Sequence, residues 1–240
     1  MMVNEIIPGD CFDILPSFPD KSVDMVLCDL PYGITACVWD VKLNLDQLWK
    51  EYERILKPGG AVVLTATQPF ANELINSKRK WYRYKWVWRK TRAVGFLNAK
   101  KMPLRIHEDI LVFARGRTKY NPQFSEGKPY VSKRSAKSKP GVYRELKRSQ
   151  TVNPGVRYPK DVIDFANTTE KIYHSTQKPV ALFEYLIKTY TDEGDVVLDN
   201  ASGSGTTAIA ASNTRRNYIC IEKDLVNYRV SVERLSATVK

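Results

Sequence analysis

The residues of this sequence best suited to chemistry form the tetrapeptide Asp29-Leu30-Pro31-Tyr32, which directly follows the apolar run 23–28. Such a run, followed by Pro and Gly, predicts a buried strand that ends in a tight turn. Asp29 and the carbonyl of Leu30 can accept both hydrogens of a planar amino group while Tyr32 stacks on the ring that carries it. The same four residues are also typical of an ordinary strand-to-loop turn.

A second motif lies near the C-terminus, where a predicted strand at 196–198 leads through the glycine-rich segment 199–206 into a predicted helix. Glycines in such a turn let the backbone approach a ligand, and the N–H groups at the helix start face it, as in nucleotide-binding sites. The sequence lacks GxxxxGK[ST], so it does not predict a P-loop. The next predicted strand, 218–221, ends at Glu222, where an acid can accept hydrogen bonds from both ribose hydroxyls.

The predicted elements that position these motifs alternate between strands and helices. This order predicts a parallel sheet with crossover helices, in which ligands bind at the carboxyl ends of the strands. Asp10 and Asp29 both lie at such a strand end. The predicted strands are 3–7, 23–28, 61–66, 81–90, 107–114, 196–198 and 218–221, and the predicted helices are 12–15, 44–56, 68–77, 179–190 and one that runs through 211.

The predicted strand 81–90 differs from the others because aromatic residues occupy every second position. Residues two apart in a strand share a face, so Tyr82, Tyr84, Trp86 and Trp88 are expected on one face. An aromatic sheet face packed on the core explains this pattern better than base stacking, which stays open as the alternative.

The composition favours a polyanionic partner. The 240 residues carry a formal net charge of +12, which points to nucleic acid ahead of an anionic membrane. The length suits one α/β domain with an insertion rather than two independent domains. The sequence has no apolar run as long as a membrane span, and its first residues, Met-Met-Val-Asn-Glu, lack a signal-peptide pattern.

The four cysteines, Cys11, Cys28, Cys37 and Cys220, have no CxxC spacing, and the sequence has two histidines that could join them as metal ligands. We therefore expect no metal site. Cys28 and Cys220 fall within predicted strands and are interpreted as small core residues in a reducing compartment.

Two segments concentrate the positive charge. Between Lys78 and Arg105 there are eleven Lys or Arg and no acid, and residues 91–104 suit a mobile loop that lies over phosphates. Between Arg115 and Lys160 thirteen basic residues stand against two acids. This segment is typical either of a disordered basic linker or of an insertion that contacts nucleic acid, and its interleaved aromatic residues favour the insertion. The expected nucleic-acid contacts are Arg92, Lys100, Lys101, Arg117, Lys133, Arg134, Lys137 and Lys139.

Taken together, the motifs make the sequence resemble the amino-methylating DNA methyltransferases. Three segments carry the resemblance: Asp-Leu-Pro-Tyr at 29–32, His-Ser-Thr-Gln-Lys-Pro at 174–179 and Leu-Asp-Asn-Ala-Ser-Gly-Ser-Gly-Thr at 198–206. Their order, catalytic motif first and cofactor motif last, is similar to that of the circularly permuted β group. The resemblance implies a Rossmann-like α/β methyltransferase fold, with a mostly parallel seven-stranded sheet that has one antiparallel strand.

The resemblance also implies how the chain is divided and what it binds. Residues 1–116 would be the catalytic half of the methyltransferase domain, 117–172 a basic target-recognition insertion, and 173–240 the cofactor-binding half. The implied cofactor is S-adenosylmethionine and the implied partner is double-stranded DNA, with no membrane association; a homodimer stays open. We expect a cytoplasmic protein of a bacterial or phage-infected cell, in a setting typical of restriction–modification.

Site residues follow from the resemblance by position. Asp29 and the Leu30 carbonyl would bind the target amine, beside Pro31, and Tyr32 would stack on the flipped base. The implied cofactor residues are Asp10 for the adenine, Glu222 for the ribose, Gly203, Gly205 and Thr206 for the methionine part, and Asp29, Asp199 and Lys178 nearby.

Two departures from the family pattern concern the same pockets. Leu30 stands where the family usually has Pro, so its carbonyl is expected to be held less rigidly. Asn200-Ala201 replaces the usual Pro-Phe, which removes an aromatic wall from the cofactor pocket. We expect activity to persist and cofactor affinity to be the more affected property.

The sequence thus predicts methyl transfer from S-adenosylmethionine to the N6 amine of a flipped-out adenine in DNA. In the family, Asp or Asn at the position of Asp29 usually accompanies adenine, whereas Ser usually accompanies cytosine. N4-cytosine methylation, an RNA substrate, and a nucleic-acid-binding protein of the same fold that has lost catalysis remain as alternatives.

Overall fold

The computed structural model describes residues 2–33, 41–134, 149–167 and 177–238. The chain forms two compact units. The larger consists of Met1–Asn121 with Asp161–Lys240, and the smaller is Pro122–Lys160. Among the described residues, no helix is long and apolar enough to cross a membrane.

The secondary structure alternates as predicted outside the insertion. The strands are β1 (Glu5–Pro8), β2 (Val23–Cys28), β3 (Leu56–Ala66), β4 (Tyr82–Val94), β5 (Arg105–Phe113), β6 (Ser125–Glu126), β7 (Tyr130–Arg134), β8 (Ser149–Asn153), β9 (Val156–Arg157), β10 (Val162–Asp164), β11 (Val196–Asp199) and β12 (Asn217–Glu222). The α-helices are α1 (Cys11–Ile14), α2 (Leu45–Ile55), α3 (Phe70–Ser77), α4 (Val180–Tyr190), α5 (Thr206–Asn213) and α6 (Leu225–Thr238).

Eight strands form one sheet in the order β1-β12-β11-β2-β3-β5-β4-β10. Strand β5 is antiparallel to β3 and β4, and the other neighbours pair in parallel. The predicted α/β sheet with one antiparallel strand is therefore confirmed. The sheet has eight strands rather than the predicted seven, because Val162–Asp164 pairs with β4 and adds a short edge strand.

The core lies on both faces of this sheet, with α2 and α3 on one face and α4 and α5 on the other. Alternate residues of β2 enter opposite core clusters, Val26 and Cys28 on one side and Met25 and Leu27 on the other, as the two-residue period of a strand requires. Both faces of β2 are thus covered, so the motif at its carboxyl end starts from a fixed point. Cys28 and Cys220 are buried, as predicted.

The junction between α2 and β3 differs from its prediction. We expected a break at 57–60 between a helix and a strand, but β3 begins at Leu56, directly after the helix. Residues 57–60 instead form an irregularity within the strand opposite β2. Gly60 is needed there, because a Cβ at this position would lie 2.7 Å from the carbonyl oxygen of Asp24.

The expectation that four aromatic residues of β4 share one face holds in part. The pairing with β5 shifts register between Tyr82 and Tyr84, and such an irregularity turns the following side chains to the other face. Tyr82 packs against the cluster that contains α2, whereas Trp86 and Trp88 are buried in the cluster that contains α4. Burial of these two tryptophans confirms the core interpretation for their rings.

Both basic segments contain regular secondary structure. Strand β4 extends to Val94, and a 3₁₀ helix at Phe96–Asn98 follows within the segment expected to be a mobile loop. Unit Pro122–Lys160 contains two small antiparallel sheets, β6 with β9 and β7 with β8. This unit lies within the segment 117–172 that was predicted to be an insertion, and the described residues on either side of it belong to the larger unit.

Candidate functional site

Four acidic residues meet at the carboxyl edge of the sheet. Asp10 follows β1, Asp29 follows β2, and Asp199 and Glu222 end β11 and β12. These four strands are consecutive parallel neighbours, so the topology gathers residues that are far apart in sequence. The acids border a cavity of about 870 Å³, which is also lined by Leu30, Pro31, Tyr32, Lys178, Gly203 and Thr206.

Asp29 is held from three sides. Tyr32 Oη donates a 2.7 Å hydrogen bond to Asp29 Oδ1, and the hydroxyl of Thr65 donates to the same oxygen. The ammonium of Lys178 donates to Oδ2. Thr65 lies near the carboxyl end of β3, the strand next to β2, so the sheet itself brings this hydroxyl to the motif. The carboxylate is therefore fixed in orientation by groups from three separate segments.

Lys178 belongs to a buried chain of alternating charges. Its Nζ lies 3.5 Å from Glu108 Oε2, and Glu108 Oε1 is paired with Lys90. Burial opposes the charge of Lys178, but the charges of Asp29 and Glu108 more than offset it and raise the Lys178 pKa. Burial likewise opposes ionisation of Glu108, and Lys178 and Lys90 reverse this and lower the Glu108 pKa. Each buried charge thus requires its neighbours.

Tyr32 and Leu30 are held by packing. The ring of Tyr32 packs on Phe70, with centroids 5.1 Å apart and an angle of 30° between the planes. Burial, followed by the charges of Asp29 and Glu108, raises the Tyr32 pKa well above its usual value, so the phenol stays a hydrogen-bond donor. The side chain of Leu30 is buried in the core, which restrains its backbone without the proline that the family usually has.

The glycine-rich turn is tied to Glu222. Gly203 N donates to Glu222 Oε2 at 2.7 Å, and Asp224 N donates to Oε1 at 2.8 Å. Each carboxylate oxygen keeps further acceptor capacity, which suits a ribose diol. Burial raises the Glu222 pKa. Gly205, at φ 78°, does not line the cavity: a Cβ there would lie 2.9 Å from Ser231 Cβ, so this glycine permits packing on α6.

Asp199 holds the glycine-rich turn in place through hydrogen bonds. Ala201 N donates to Asp199 Oδ1 at 3.1 Å, and the hydroxyl of Thr207 donates to Oδ2. Burial is the main cause that raises the Asp199 pKa to about 6, partly offset by these hydrogen bonds and by that of Cys28. The contacts give Asp199 a positioning role in addition to its place in the cavity wall.

The hydroxyl of Thr206 bonds both to Lys178 and to Arg234, a residue that the sequence did not suggest. The hydroxyl of Thr206 donates to the Lys178 carbonyl at 3.3 Å and accepts a 3.0 Å hydrogen bond from Arg234 Nη1. The same nitrogen lies 3.1 Å from the Ser204 carbonyl. Arg234 is buried on α6, a helix that was not predicted from the sequence. Its hydrogen bonds to Ser204 and Thr206 stabilise the glycine-rich turn.

Asp10 also lines the cavity. It caps α1 by accepting a 2.9 Å hydrogen bond from Phe12 N, and its other oxygen pairs with Lys223 at 2.9 Å. The hydrogen bond from Lys223, and then that from Phe12, lower the Asp10 pKa. An ionised acceptor beside a strand end suits the polar edge of a bound nucleoside.

Unsatisfied polar atoms provide an independent sign that the cavity receives a ligand. Among the described residues, four buried side-chain atoms have no hydrogen-bond partner: Thr67 Oγ1, Glu108 Oε2, Asn200 Nδ2 and Ser202 Oγ. All four residues line this cavity, and Glu108 Oε2 has only the 3.5 Å ion pair with Lys178. Buried polar groups without partners are rare and costly, so a polar ligand that fills the cavity would satisfy them. Asn200 and Ser202 belong to the glycine-rich segment 199–206, and Glu108 pairs with Lys178, which also binds Asp29.

The sequence missed Thr65, Glu108, Lys90 and Arg234. The first could have been found, because Thr65 stands near the end of a predicted parallel strand, where ligands are expected. Glu108 and Lys90 belong to strands whose neighbours cannot be read from the sequence. The described part of the 174–179 motif begins at Gln177, and His174, Ser175 and Thr176 lie outside the described residues.

The predicted nucleic-acid contacts in the larger unit do not line the cavity. Arg92, Lys100, Lys101 and Arg117 are exposed outside its lining, and Lys133 is exposed in the smaller unit. Arg134 ends β7, and Lys137 and Lys139 lie outside the described residues.

Comparison with known proteins finds similarity to DNA methyltransferases. A family model described as DNA methylase, of the N6 and N4 methyltransferases, matches residues 23–233. Type II methyltransferase M1.MboII of Moraxella bovis is 29% identical over 90% of this chain and 90% of its own length. DNA adenine methyltransferase YhdJ of Escherichia coli (strain K12) is 27% identical over 96% of this chain and 82% of its own.

Solved structures share the fold. The M1.HpyAVI–SAM complex superposes with a TM-score of 0.66 and 22% identity, over 96% of this chain and 99% of its own.

Proposed function

Because the chain belongs to the DNA methylase family of N6 and N4 amino-methyltransferases, we propose that it methylates the N6 amine of adenine in DNA. S-adenosylmethionine is the methyl donor of this family. The observation that carries the proposal is Asp29, held by Tyr32, Thr65 and Lys178 in the wall of the cavity. An acceptor and a stacking ring beside each other suit a planar base that carries an amino group.

The residues of the site divide between the two ligands. Glu222, Asn200, Ser202 and the segment at Gly203 would hold the nucleoside and methionine parts of the cofactor. Within the described part of the chain, Asn200 Nδ2 and Ser202 Oγ have no hydrogen-bond partner, and the Glu222 oxygens keep acceptor capacity beside their bonds from Gly203 N and Asp224 N. When bound, S-adenosylmethionine supplies an electrophilic methyl group on a sulfonium. The cavity runs without interruption from Glu222 to Asp29, so both ligands share one space.

The chemistry required of the protein is to make a poor nucleophile reactive. The lone pair of an exocyclic amine is delocalised into the ring of the base. Hydrogen bonds from that amine to Asp29 and to the Leu30 carbonyl favour a pyramidal nitrogen whose lone pair is localised. Tyr32 replaces part of the stacking that the base loses when it leaves the duplex. After transfer, Asp29 is placed to take the proton that the amine releases.

The choice of adenine rather than cytosine as the target base is a separate part of this proposal. Support comes from Asp at position 29, which in this family usually accompanies adenine, and from the name of the adenine methyltransferase YhdJ among the relatives. Cytosine N4 is the second candidate, because the matched family model includes both chemistries. The two bases both present an amine beside a ring nitrogen.

We further propose that unit Pro122–Lys160 takes part in target recognition. It carries basic residues and exposed aromatic ones: Arg157 lies over the exposed Tyr130 ring at 4.9 Å, and Phe124 packs edge-on against Tyr158, both of them exposed. Planar groups of this kind can contact bases, and basic ones contact phosphates.

A direct experiment tests the transfer itself. The purified protein is incubated with methyl-labelled S-adenosylmethionine and with duplex DNA, single-stranded DNA or RNA in separate reactions. We expect label in duplex DNA. Label in RNA alone would contradict the DNA assignment, and no label in any polymer would contradict the enzyme assignment.

A further inference from the structure

The hairpin between β4 and β5 exposes apolar side chains at its tip. Phe96 is 69% exposed and Leu97 is completely exposed, and Met102 and Leu104 are also exposed. Single exposed apolar residues are ordinary, but a cluster on one short projection marks a contact surface. The 91–104 segment was predicted to lie over phosphates on charge alone, which does not explain these side chains.

The tip is ordered rather than a loose loop. Gly95 adopts φ 92°, which lets the chain leave β4 and enter the 3₁₀ turn. Asn98 N donates to the Gly95 carbonyl at 2.9 Å, Ala99 N to that of Phe96 at 3.1 Å, and Lys101 N to that of Asn98 at 2.8 Å. Consecutive turns therefore hold Phe96 and Leu97 on the outside before any partner binds, which reduces the entropy lost on binding.

The charge around the tip indicates a polyanion. Arg92, Lys100, Lys101 and Arg105 are exposed, and residues 91–104 contain no acid. An apolar protein partner would gain nothing from this ring of positive charge. A nucleic acid offers both complements, since phosphates border a stack of apolar base faces.

The stem of the same hairpin forms part of the cavity wall. Val94 and Arg105, the last paired residues before the tip, both line the cavity, as do Trp88, Lys90 and His107 lower on the stem. The tip begins at the next residue, so it projects beside the mouth through which a base would reach Asp29.

We propose that Phe96 and Leu97 form an apolar wedge that enters the DNA base stack beside the target and fills the space left by the flipped base. The basic residues of the hairpin would bind the phosphates on either side. Proteins that unstack a base step commonly insert apolar side chains in this way. The inference rests on the proposed DNA methyltransferase function and assigns the wedge within it.

Unwinding of plasmid DNA tests the wedge without knowledge of the recognition sequence. A relaxed closed plasmid is incubated with excess protein and a topoisomerase, the protein is removed, and the change in linking number is measured by gel electrophoresis. The variants are the pair Phe96→Ala with Leu97→Ala, and the pair Lys100→Gln with Lys101→Gln. Val232→Ala, at an exposed apolar position on α6 outside the cavity, is the matched control. Binding to the same plasmid is measured for each.

We expect the wild type and Val232→Ala to unwind the plasmid, and the apolar double variant to lose most unwinding per bound protein while it retains binding. The lysine variant should bind more weakly, with a smaller salt dependence. Equal unwinding per bound protein in the wild type and the apolar double variant would overturn the proposal. Dissociation of a dimer into monomers by the apolar substitutions, measured by sedimentation, would also overturn it, because the tip would then bind a second copy.

Methyl transfer to the same plasmid separates this inference from the proposed function. Transfer by the wild type without unwinding would contradict the wedge and leave the function standing. Absence of transfer to any DNA would contradict the function.

Discussion

The hydroxyl of Tyr32 donates a 2.7 Å hydrogen bond to Asp29 Oδ1, which ties the stacking ring to the carboxylate that would receive the target amine. The ring of Tyr32 also packs against the ring of Phe70. The position of the ring and the orientation of the acceptor are therefore set together. A base that stacks on the ring meets the acceptor in a defined place.

Substitution of Tyr32 separates its two contributions. Tyr32→Phe keeps the ring and removes the hydrogen bond, so we expect turnover to fall by about tenfold or less, the effect of one hydrogen bond. Tyr32→Ala also removes stacking, for which about 1–3 kcal/mol per base is typical, so its activity should fall much further. Steady-state rates on duplex DNA, with binding of S-adenosylmethionine as the control, measure both. Equal activity of the Phe and Ala variants would contradict the stacking role.

Glu108 is predicted to act as a positioning residue through Lys178. Glu108→Gln removes one of the two negative charges that raise the Lys178 pKa, so that pKa should fall. We expect turnover to drop by about tenfold and the alkaline limb of the pH–rate profile to move to lower pH. Glu193→Gln, which changes an exposed pair with Arg215, is the matched control. A lower rate with an unmoved alkaline limb would leave Glu108 with a merely structural role.

The Asp199 pKa predicts how stability depends on pH. The folded value of about 6 lies above the ordinary 3.8, so the folded state binds more protons between them and the free energy of unfolding rises as pH falls. The difference corresponds to about 3 kcal/mol. Glu222, whose pKa is also raised by burial, acts in the same direction. Carboxylates with a lowered pKa, such as Glu108, oppose this effect only below about pH 4.5.

Denaturant unfolding at pH 5.5 and pH 7.5 measures this effect. The wild type should be more stable at the lower pH, and Asp199→Asn should show a smaller difference between the two. An equal difference in the two proteins would mean that Asp199 does not titrate in this range.

The insertion is predicted to contribute to DNA affinity by charge. Neutralisation of Lys133, Arg134, Lys137 and Lys139 should reduce the slope of log affinity against log salt by about 0.9 for each phosphate that the variant no longer binds. Binding of S-adenosylmethionine, measured by calorimetry, should be unchanged. A salt slope equal to that of the wild type would show that these residues are ordinary solvated surface.

Part of the site could be predicted because strand ends are local features. Asp29 and Glu222 each terminate an apolar run, and the sheet carries such residues to one edge whatever lies between them. Glu108 could not be placed in this way, because its contact with Lys178 depends on the antiparallel pairing of β5 between β3 and β4. Arg234 reaches the glycine-rich turn only through the packing of α6, which leaves no local pattern.

In the fold, too, local features could be predicted from the sequence and features set by strand pairing could not. Alternation along β4 predicted a single aromatic face, but one register shift between Tyr82 and Tyr84 places the rings in two core clusters. Periodicity cannot reveal such a shift, because it arises from the pairing partner.

Mass spectrometry of nucleosides from DNA treated with the wild type and with Asp29→Ala tests the central claim most directly. We expect N6-methyladenine from the wild type, and a loss on the order of a hundred- to a thousandfold in the variant, as for removal of one preorganised polar group. DNA binding should be kept, because Asp29 lines the cavity, whereas Lys100 and Lys101, which are proposed to bind phosphates, are exposed and do not line it. N4-methylcytosine in place of N6-methyladenine would show that the target base is cytosine rather than adenine. Undiminished methylation by Asp29→Ala would contradict the role of Asp29 in the site.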